Sequence, residues 1–324
     1  MRRIVCMGMA VADIVVAGAE RLPTGGRTEY VEQVDLCPGG DALNQAMVLA
    51  ALGHRSALIS IVGADRQGGF LVDACARRGV DVSGVSLWEG GPTATSLVFL
   101  DQSGERSFLS VRRGASREGR WKDVQPERWI GTGTGVLSIG SLGYSEALDT
   151  YALVPALRRA REVGALTCAD LVPDRGAVSL KRMGQALSLL DYILPSREEA
   201  VLYTGARTAD QAADALLELG CGHVVLKLGG QGVFYKDKER RLMLRAYPAR
   251  AIDTTGAGDN FVAGFLSAAV EGGGPEDCLR WGAATAAVSV GSVGASTGVR
   301  DKSQVEQLLR QAPNVPFVPD DITL

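Results

Sequence analysis

Ala251-Ile-Asp-Thr-Thr-Gly-Ala-Gly-Asp-Asn-Phe261 is the stretch from which the rest of the chain can be read. Gly256, Ala257 and Gly258 form a turn of small residues, which lets backbone approach a ligand closely. Behind it Phe261, Phe265 and Leu266 recur at helical spacing, so a helix begins at the turn. The first amides of a helix have no partner within it and point outward, along the positive end of the dipole. An anion such as a phosphoryl group in transfer fits that place. Asp259 falls in the first turn, where a carboxylate can accept the proton of an attacking hydroxyl. The glycines alone leave a second reading open: an ordinary strand–turn–helix corner with Asp259 as a helix cap.

Working outward, strand-like runs at 3–7, 57–62, 135–139, 166–170, 192–194 and 223–228 are separated by helical runs. The helical runs lie at 42–52, 69–78, 146–163, 179–190 and 208–219, several of them stopped by glycine. This alternation predicts an α/β fold with a central, mostly parallel sheet flanked by helices on both faces. Such sheets bind ligands beyond the carboxyl ends of their strands. Two stretches interrupt the pattern. Residues 28–36 read as extended, and 96–100 and 106–110 flank Asp101-Gln-Ser-Gly104 as a β-hairpin. They predict a small β-lid, roughly 13–36 and 93–112, inserted in one domain spanning 1–324; a plain surface hairpin is the alternative.

Composition narrows the function. A hydrophobic share of 46% with 22% charged residues suits a soluble globular protein with a full core. A net charge of −3 supplies no field for nucleic acid. Six scattered cysteines without a C-x-x-C pair read as free thiols in a reducing compartment. No apolar run reaches the roughly 18 residues of a membrane span. The apolar start, 1–10, is too short for a signal peptide, so the expected location is cytoplasmic. No G-x-x-x-x-G-K-[ST] loop is present, and Gly131-Thr-Gly-Thr-Gly135 precedes a strand, as a connector does. His54 and His223 lie far apart at element boundaries and read as structural; no Ser-His-Asp or Cys-His arrangement stands out.

Other segments carry candidate ligands. Gly40 opens a helix on which Asp41 and Asn44, three apart, share a face. A polyhydroxylated ligand needs such paired donors and acceptors on rigid elements, although Asp41 by residue type is also a common cap. Arg112 and Arg113, in the loop ending at Ser116, either meet an anionic substrate group or form a solvated pair. Leu226-Lys-Leu-Gly-Gly-Gln-Gly232 ends a strand in a glycine turn, with Lys227 either a ligand contact or a surface lysine. In Pro195-Ser-Arg-Glu-Glu199, Ser196 stands where a helical run begins and can cap it.

Asp253-Thr-Thr-Gly-Ala-Gly-Asp-x-Phe261 resembles the second signature of the ribokinase-like (PfkB) carbohydrate kinases. Gly39-Gly-Asp-Ala-Leu-Asn44-Gln-Ala46 resembles the first, and Gly63-x-Asp65-x-x-Gly68 follows at the family position. The similarity runs from Gly8 to about Gly298. It implies a ribokinase-like fold with a β-lid and transfer of the γ-phosphoryl group of ATP to a sugar hydroxyl. Asp259 would be the general base, and the amides of Gly256, Ala257 and Gly258 would steady the charge in flight. The resemblance further implies sugar contacts from Asp13, Gly40, Asp41 and Asn44, and nucleotide contacts from Ser196, Lys227, Gly229 and Gly232. Ser196 replaces the asparagine of the family's Asn-x-x-Glu element, while Glu199 matches the glutamate that reaches Mg²⁺ through water. Asp253 and Thr255, with carbonyls near Ser292 and Gly294, match positions that hold K⁺ in ribokinases. Ser116 stands where many relatives carry asparagine. The implied partners are a sugar, ATP and, through the lid, a second copy of the chain. Two alternatives remain. A nucleoside kinase would want aromatic residues for the base, and the lid offers only Phe99 and Phe108. A non-catalytic, regulatory sugar-binding protein would not need the intact Asp259 and glycine turn.

Overall fold

The structure is a computed structural model that describes residues 2–18, 25–100, 106–111, 113–172 and 180–318. The chain opens with β1 (Arg3–Met7) and at once leaves the main sheet for β2 (Val11–Ala17) and β3 (Gln33–Gly39). Helix α1 (Asp41–Ala51) returns it to β4 (Ser56–Gly63), and α2 (Arg66–Arg77) leads to β5 (Asp81–Trp88). A second excursion makes β6 (Thr95–Leu100) and β7 (Arg106–Ser110). The single-turn helices α3 (Ala115–Glu118) and α4 (Trp121–Val124) then lead back to β8 (Thr134–Leu142). A π-helical turn at Leu148–Ala152 runs into α5 (Leu153–Glu162), followed by β9 (Leu166–Leu171) and α6 (Leu180–Leu187). Next come β10 (Tyr192–Ile193), α7 (Arg197–Thr204), α8 (Ala209–Glu218) and β11 (His223–Lys227). The last part holds β12 (Val233–Lys236), β13 (Arg241–Leu244), α9 (Ala257–Val270), α10 (Pro275–Ser289), α11 (Lys302–Gln311) and β14 (Phe317–Val318).

The main sheet has the order β14-β13-β12-β11-β10-β9-β8-β1-β4-β5. From β11 to β5 every neighbouring pair is parallel; β12, β13 and β14 add an antiparallel edge. Strands β4 and β8 are buried along their whole length, as expected of parallel strands covered on both faces. One apolar core lies on each side of the sheet. Leu153, Leu157 and Leu216 belong to one; Leu43, Val262 and Phe265 belong to the other. Full burial of a side chain such as Phe265 contributes about 1.5–3 kcal/mol relative to exposure.

The α/β expectation holds, with two local differences. Residues 28–36 were expected to be extended, but the strand is Gln33–Gly39, because its pairing with β2 runs through the turn-like Cys37-Pro38-Gly39 as far as Val11↔Gly39. The expected hairpin strands do pair, Leu100 against Arg106, while Asp101–Gly104 lies outside the described residues. Strands β2 and β5 and the edge β12–β14 were not anticipated.

The second sheet, β3-β2-β6-β7, has two different faces. Register places Leu36, Ile14, Leu97 and Leu109 side by side in one row, and Val34, Val16 and Phe99 in the next. Asp13, Val15, Ser96 and Val98 lie on the opposite face. Asp65 ties this sheet's base to the core. Its carboxylate caps α2 through Gly68 N (2.8 Å) and accepts from Thr93 N (2.8 Å) and Thr93 Oγ1 (2.6 Å). These bonds outweigh the effect of burial and hold its pKa below the ordinary value.

Candidate active site

Helix α9 starts at Gly256, whose φ of +68° is left-handed. A Cβ there would lie 2.6 Å from the Ala295 carbonyl oxygen, so backbone on both sides demands glycine. Asn260 Nδ2 fastens the turn by donating to Gly256 O (2.8 Å) and Ala295 O (2.7 Å). Asp259 does not cap the helix. Its Oδ2 accepts instead from Asn44 Nδ2 at 2.8 Å, across to α1 and 215 residues away in the chain. Burial pushes the Asp259 carboxyl up to about 6, with Glu199 adding to the rise and Asn44, Lys227 and Gln45 opposing it.

Gly40 turns the chain into α1 at φ +92°, its missing Cβ leaving room for the Met9 carbonyl oxygen 2.8 Å away. Asp41 is the first residue of the helix and makes no capping bond. Its Oδ2 lies 3.5 Å from Ser141 Oγ, which itself accepts from Met9 N at 2.9 Å. Burial raises the Asp41 carboxyl well above its ordinary value, and Asp259, Asp170 and Glu199 add to that, against Lys227. Asp13 reaches the same field from β2; burial and then Asp259 push it up to about 7. Among the described residues, Asn44 Oδ1 and Asp170 Oδ1 are buried with no partner.

Beside the first turn of α9 lies a cavity of about 390 Å³. Lys227, Gly229, Gly232 and Gly258 line it, together with apolar residues that include Ala283, Ala286 and Val290. Lys227 Nζ pairs with Asp170 Oδ2 at 2.5 Å. Ser196 and Glu199 cap α7 reciprocally, Ser196 N donating to Glu199 Oε2 (2.7 Å) and Glu199 N to Ser196 Oγ (3.2 Å). The capping reading of Ser196 therefore holds, and Glu199 still acts electrostatically on Asp259, Asp170 and Lys227. Asp253 braces the loop before the turn. Its Oδ1 accepts from Thr255 N (2.8 Å) and from the Thr255 hydroxyl, and its Oδ2 from Gly294 N (2.8 Å).

The remaining candidates fall outside this group. Arg113 is 83% exposed and pairs with Glu118, as a solvated arginine does, and Arg112 lies outside the described residues. Ser116 is buried, its hydroxyl donating to Ala10 O at 3.0 Å. His54 bonds Ser267 (2.7 Å) and His223 stacks on Tyr192, both structural roles. Sequence reasoning missed Ser141 and Asp170. Both sit near the carboxyl ends of their strands, β8 and β9, the edge where parallel sheets bind ligands, and that rule would have flagged them.

Comparison with known proteins agrees with this geometry. Residues 1–302 match the pfkB family of carbohydrate kinases. The chain is 27% identical over 292 residues to a ribokinase of Haemophilus influenzae, covering 89% of this chain and 92% of that one. It is 30% identical over 247 residues to a fructokinase of Salmonella typhimurium, covering 74% and 80%. The structure of Arabidopsis thaliana ribokinase complexed with ribose and ATP superposes with a TM-score of 0.81 at 27% identity, over 95% of this chain and 99% of that one. With signatures, fold and relatives in agreement, the chain belongs to the pfkB family and is an ATP-dependent carbohydrate kinase.

Proposed function

We propose that the chain transfers the γ-phosphoryl group of ATP to a hydroxyl of a small monosaccharide or sugar derivative, with Asp259 as general base. One observation carries the reading: Asp259 is fixed by Asn44 at the start of α9, within electrostatic reach of Asp13 and Asp41 and next in the chain to Gly258, which lines the cavity. Sugar hydroxyls donate to Asp13, Asp41 and the orphaned Asn44 Oδ1, a buried acceptor that costs about 1–3 kcal/mol when left unpaired. Asp259 takes the proton of the attacking hydroxyl as its oxygen bonds to the γ-phosphorus. The bond to the bridging oxygen breaks, and ADP leaves with the electron pair. The amides of Gly256 and Gly258 face the charge in transit, whereas the Ala257 amide, expected to join them, donates to Thr254 O at 3.2 Å and closes the turn.

ATP lies along Lys227, Gly229 and Gly232, with its base toward the apolar residues of the cavity. Among the described residues no group of three or more His, Cys, Asp or Glu side chains is placed to hold a metal ion. Glu199 would reach Mg²⁺ through water, with phosphate oxygens and water as the ion's other ligands, and the ion would neutralise the polyphosphate. Closure of the small sheet, which carries Asp13, excludes water as a competing acceptor.

Asp259 accepts a proton only when ionised, and its folded pKa is about 6. The rate should therefore fall about tenfold per pH unit below that value and level off above it, read as kcat/KM against pH. A profile flat down to pH 4 would remove Asp259 as the base. An ADP-release screen over neutral sugars, sugar acids, sugar phosphates and nucleosides tests the activity. A sugar should give the highest turnover. A nucleoside winner overturns the substrate class, and no turnover at all overturns the kinase reading.

The small sheet's outer face supports self-association. Its rows Leu36–Ile14–Leu97–Leu109 and Val34–Val16–Phe99 present apolar side chains away from the site, with Val34, Leu36 and Leu109 about half exposed. A second copy packing its own sheet there covers both, giving a dimer in sedimentation experiments. Leu109→Lys should shift the species to monomer; a wild-type monomer at micromolar concentration rules the dimer out.

A further inference from the structure

We propose that Asp170, at the carboxyl end of β9, is a positioning residue for phosphoryl transfer: it holds the Lys227 ammonium beside the first turn of α9, where that charge meets the phosphoryl group in transit. The inference rests on the reading above and assigns a role to a residue that no motif marks.

Three observations converge. Lys227 Nζ bonds Asp170 Oδ2 at 2.5 Å, and both side chains are largely buried, 14% and 6% exposed. A Cβ on Gly258 would lie only 3.2 Å from that Nζ, so the ammonium stands against the turn whose amides face the anion. Lys227 and Gly258 also line the same cavity. A lysine has four rotatable bonds and no fixed direction of its own, so something must hold it. Asp170 does so, and its bond leaves the other Nζ protons for a phosphate oxygen. Asp170 comes from β9 and Lys227 from β11, separated in the sheet by the two-residue β10, so the pair braces the site across that short strand.

The electrostatics agree. Burial acts against the ammonium, but Asp170, Glu199 and Asp259 outweigh it and raise Lys227 above its ordinary value, so the charge persists at working pH. Burial pushes Asp170 up to about 7, with Lys227 holding it down and Glu199 adding to the rise. A carboxyl this buried sits beside a cation because the cation is its compensation.

The test is a double-variant cycle in the full chain, with kcat and KM for ATP and sugar measured separately. Lys227→Met should lower kcat about 100-fold, the scale for removing one donor from a developing anion. Asp170→Asn should lower it about tenfold with the sugar KM little changed, because Lys227 remains but wanders. In the Lys227→Met background Asp170→Asn should cost little more, as expected when one residue acts through the other. The same tenfold loss in both backgrounds, or a single Asp170→Asn variant within twofold of wild type, overturns the proposal; Asp170→Ser replaces Asp170→Asn if the latter does not fold.

A wild type that releases no ADP with any sugar would sink the kinase reading, and calorimetry still decides the role of Asp170. Each single variant should then weaken a non-hydrolysable ATP analogue at least fivefold while leaving ADP affinity within twofold. Equal weakening of both nucleotides would mean that the pair does not serve the terminal phosphate.

Discussion

Asp259→Asn should bind sugar and ATP about as well as the wild type and turn over roughly 10³-fold more slowly. The magnitude is that of a lost general base, about 10²–10⁴. The amide keeps the shape of the side chain and retains an oxygen for Asn44 Nδ2, so the α1–α9 contact survives. It cannot accept the hydroxyl proton. Single-turnover kinetics with calorimetric sugar binding separates the two effects, and unchanged turnover would exclude Asp259 as the base. The same substitution should stabilise the fold. The Asp259 carboxyl titrates near 6 when folded, against an ordinary value of 3.8, so the folded state holds this proton more tightly than the unfolded chain. Its contribution to stability therefore falls as pH rises from about 4 to about 6, and above that window a buried charge remains as a cost. Asparagine carries no charge, so Tm at pH 8 should rise by about 2 °C or more, while the two proteins should converge below pH 4. A lower Tm at pH 8 would contradict the burial argument.

Gly256→Ala should fail for a different reason. An L-residue at φ +68° costs about 1–2 kcal/mol before any contact is counted. Its Cβ would then meet the Ala295 carbonyl oxygen at 2.6 Å and Ala295 Cα at 2.8 Å, and backbone yields only by moving the turn. Moving the turn displaces the amides of the proposed anion site and the root of Asp259 together. A misplacement of about 1 Å can cost 10²-fold, so kcat should fall by at least about that much, with Tm lowered by several degrees. Gly205→Ala, at the end of α7, is the control. Gly205 also has positive φ, +70°, but a Cβ there meets nothing within 4 Å, so its loss should be limited to backbone strain. Equal losses in the two variants would show that φ alone, and not the clash with Ala295, sets the requirement at Gly256.

Expectation and structure diverge along a physical line. The buried strands 57–62 and 135–139 and the helix behind Gly256 were legible because apolar periodicity and glycine stops are local signals. Strand β5 escaped because its Asp81-Val-Ser-Gly84 start carries polar and glycine residues, and its place at the sheet edge tolerates them. The antiparallel edge escaped because β12 and β13 are only four residues each and β14 two. Ser196 was legible as a cap, since the Ser-x-x-Glu spacing is itself the capping signal.

Local residues alone were enough for the α/β class, the two signatures and Asp259 at the start of a helix, because each depends on residues within a turn or two of one another. It took the folded arrangement to show that Asn44 holds Asp259, that Asp170 holds Lys227, and that Asp13 and Asp41 share one electrostatic field with them. Those pairings follow from strand order, which places β1 between β8 and β4 and β9 one strand from β11. Strand order is a property of how buried surfaces stack across the whole chain, and no local spacing encodes it.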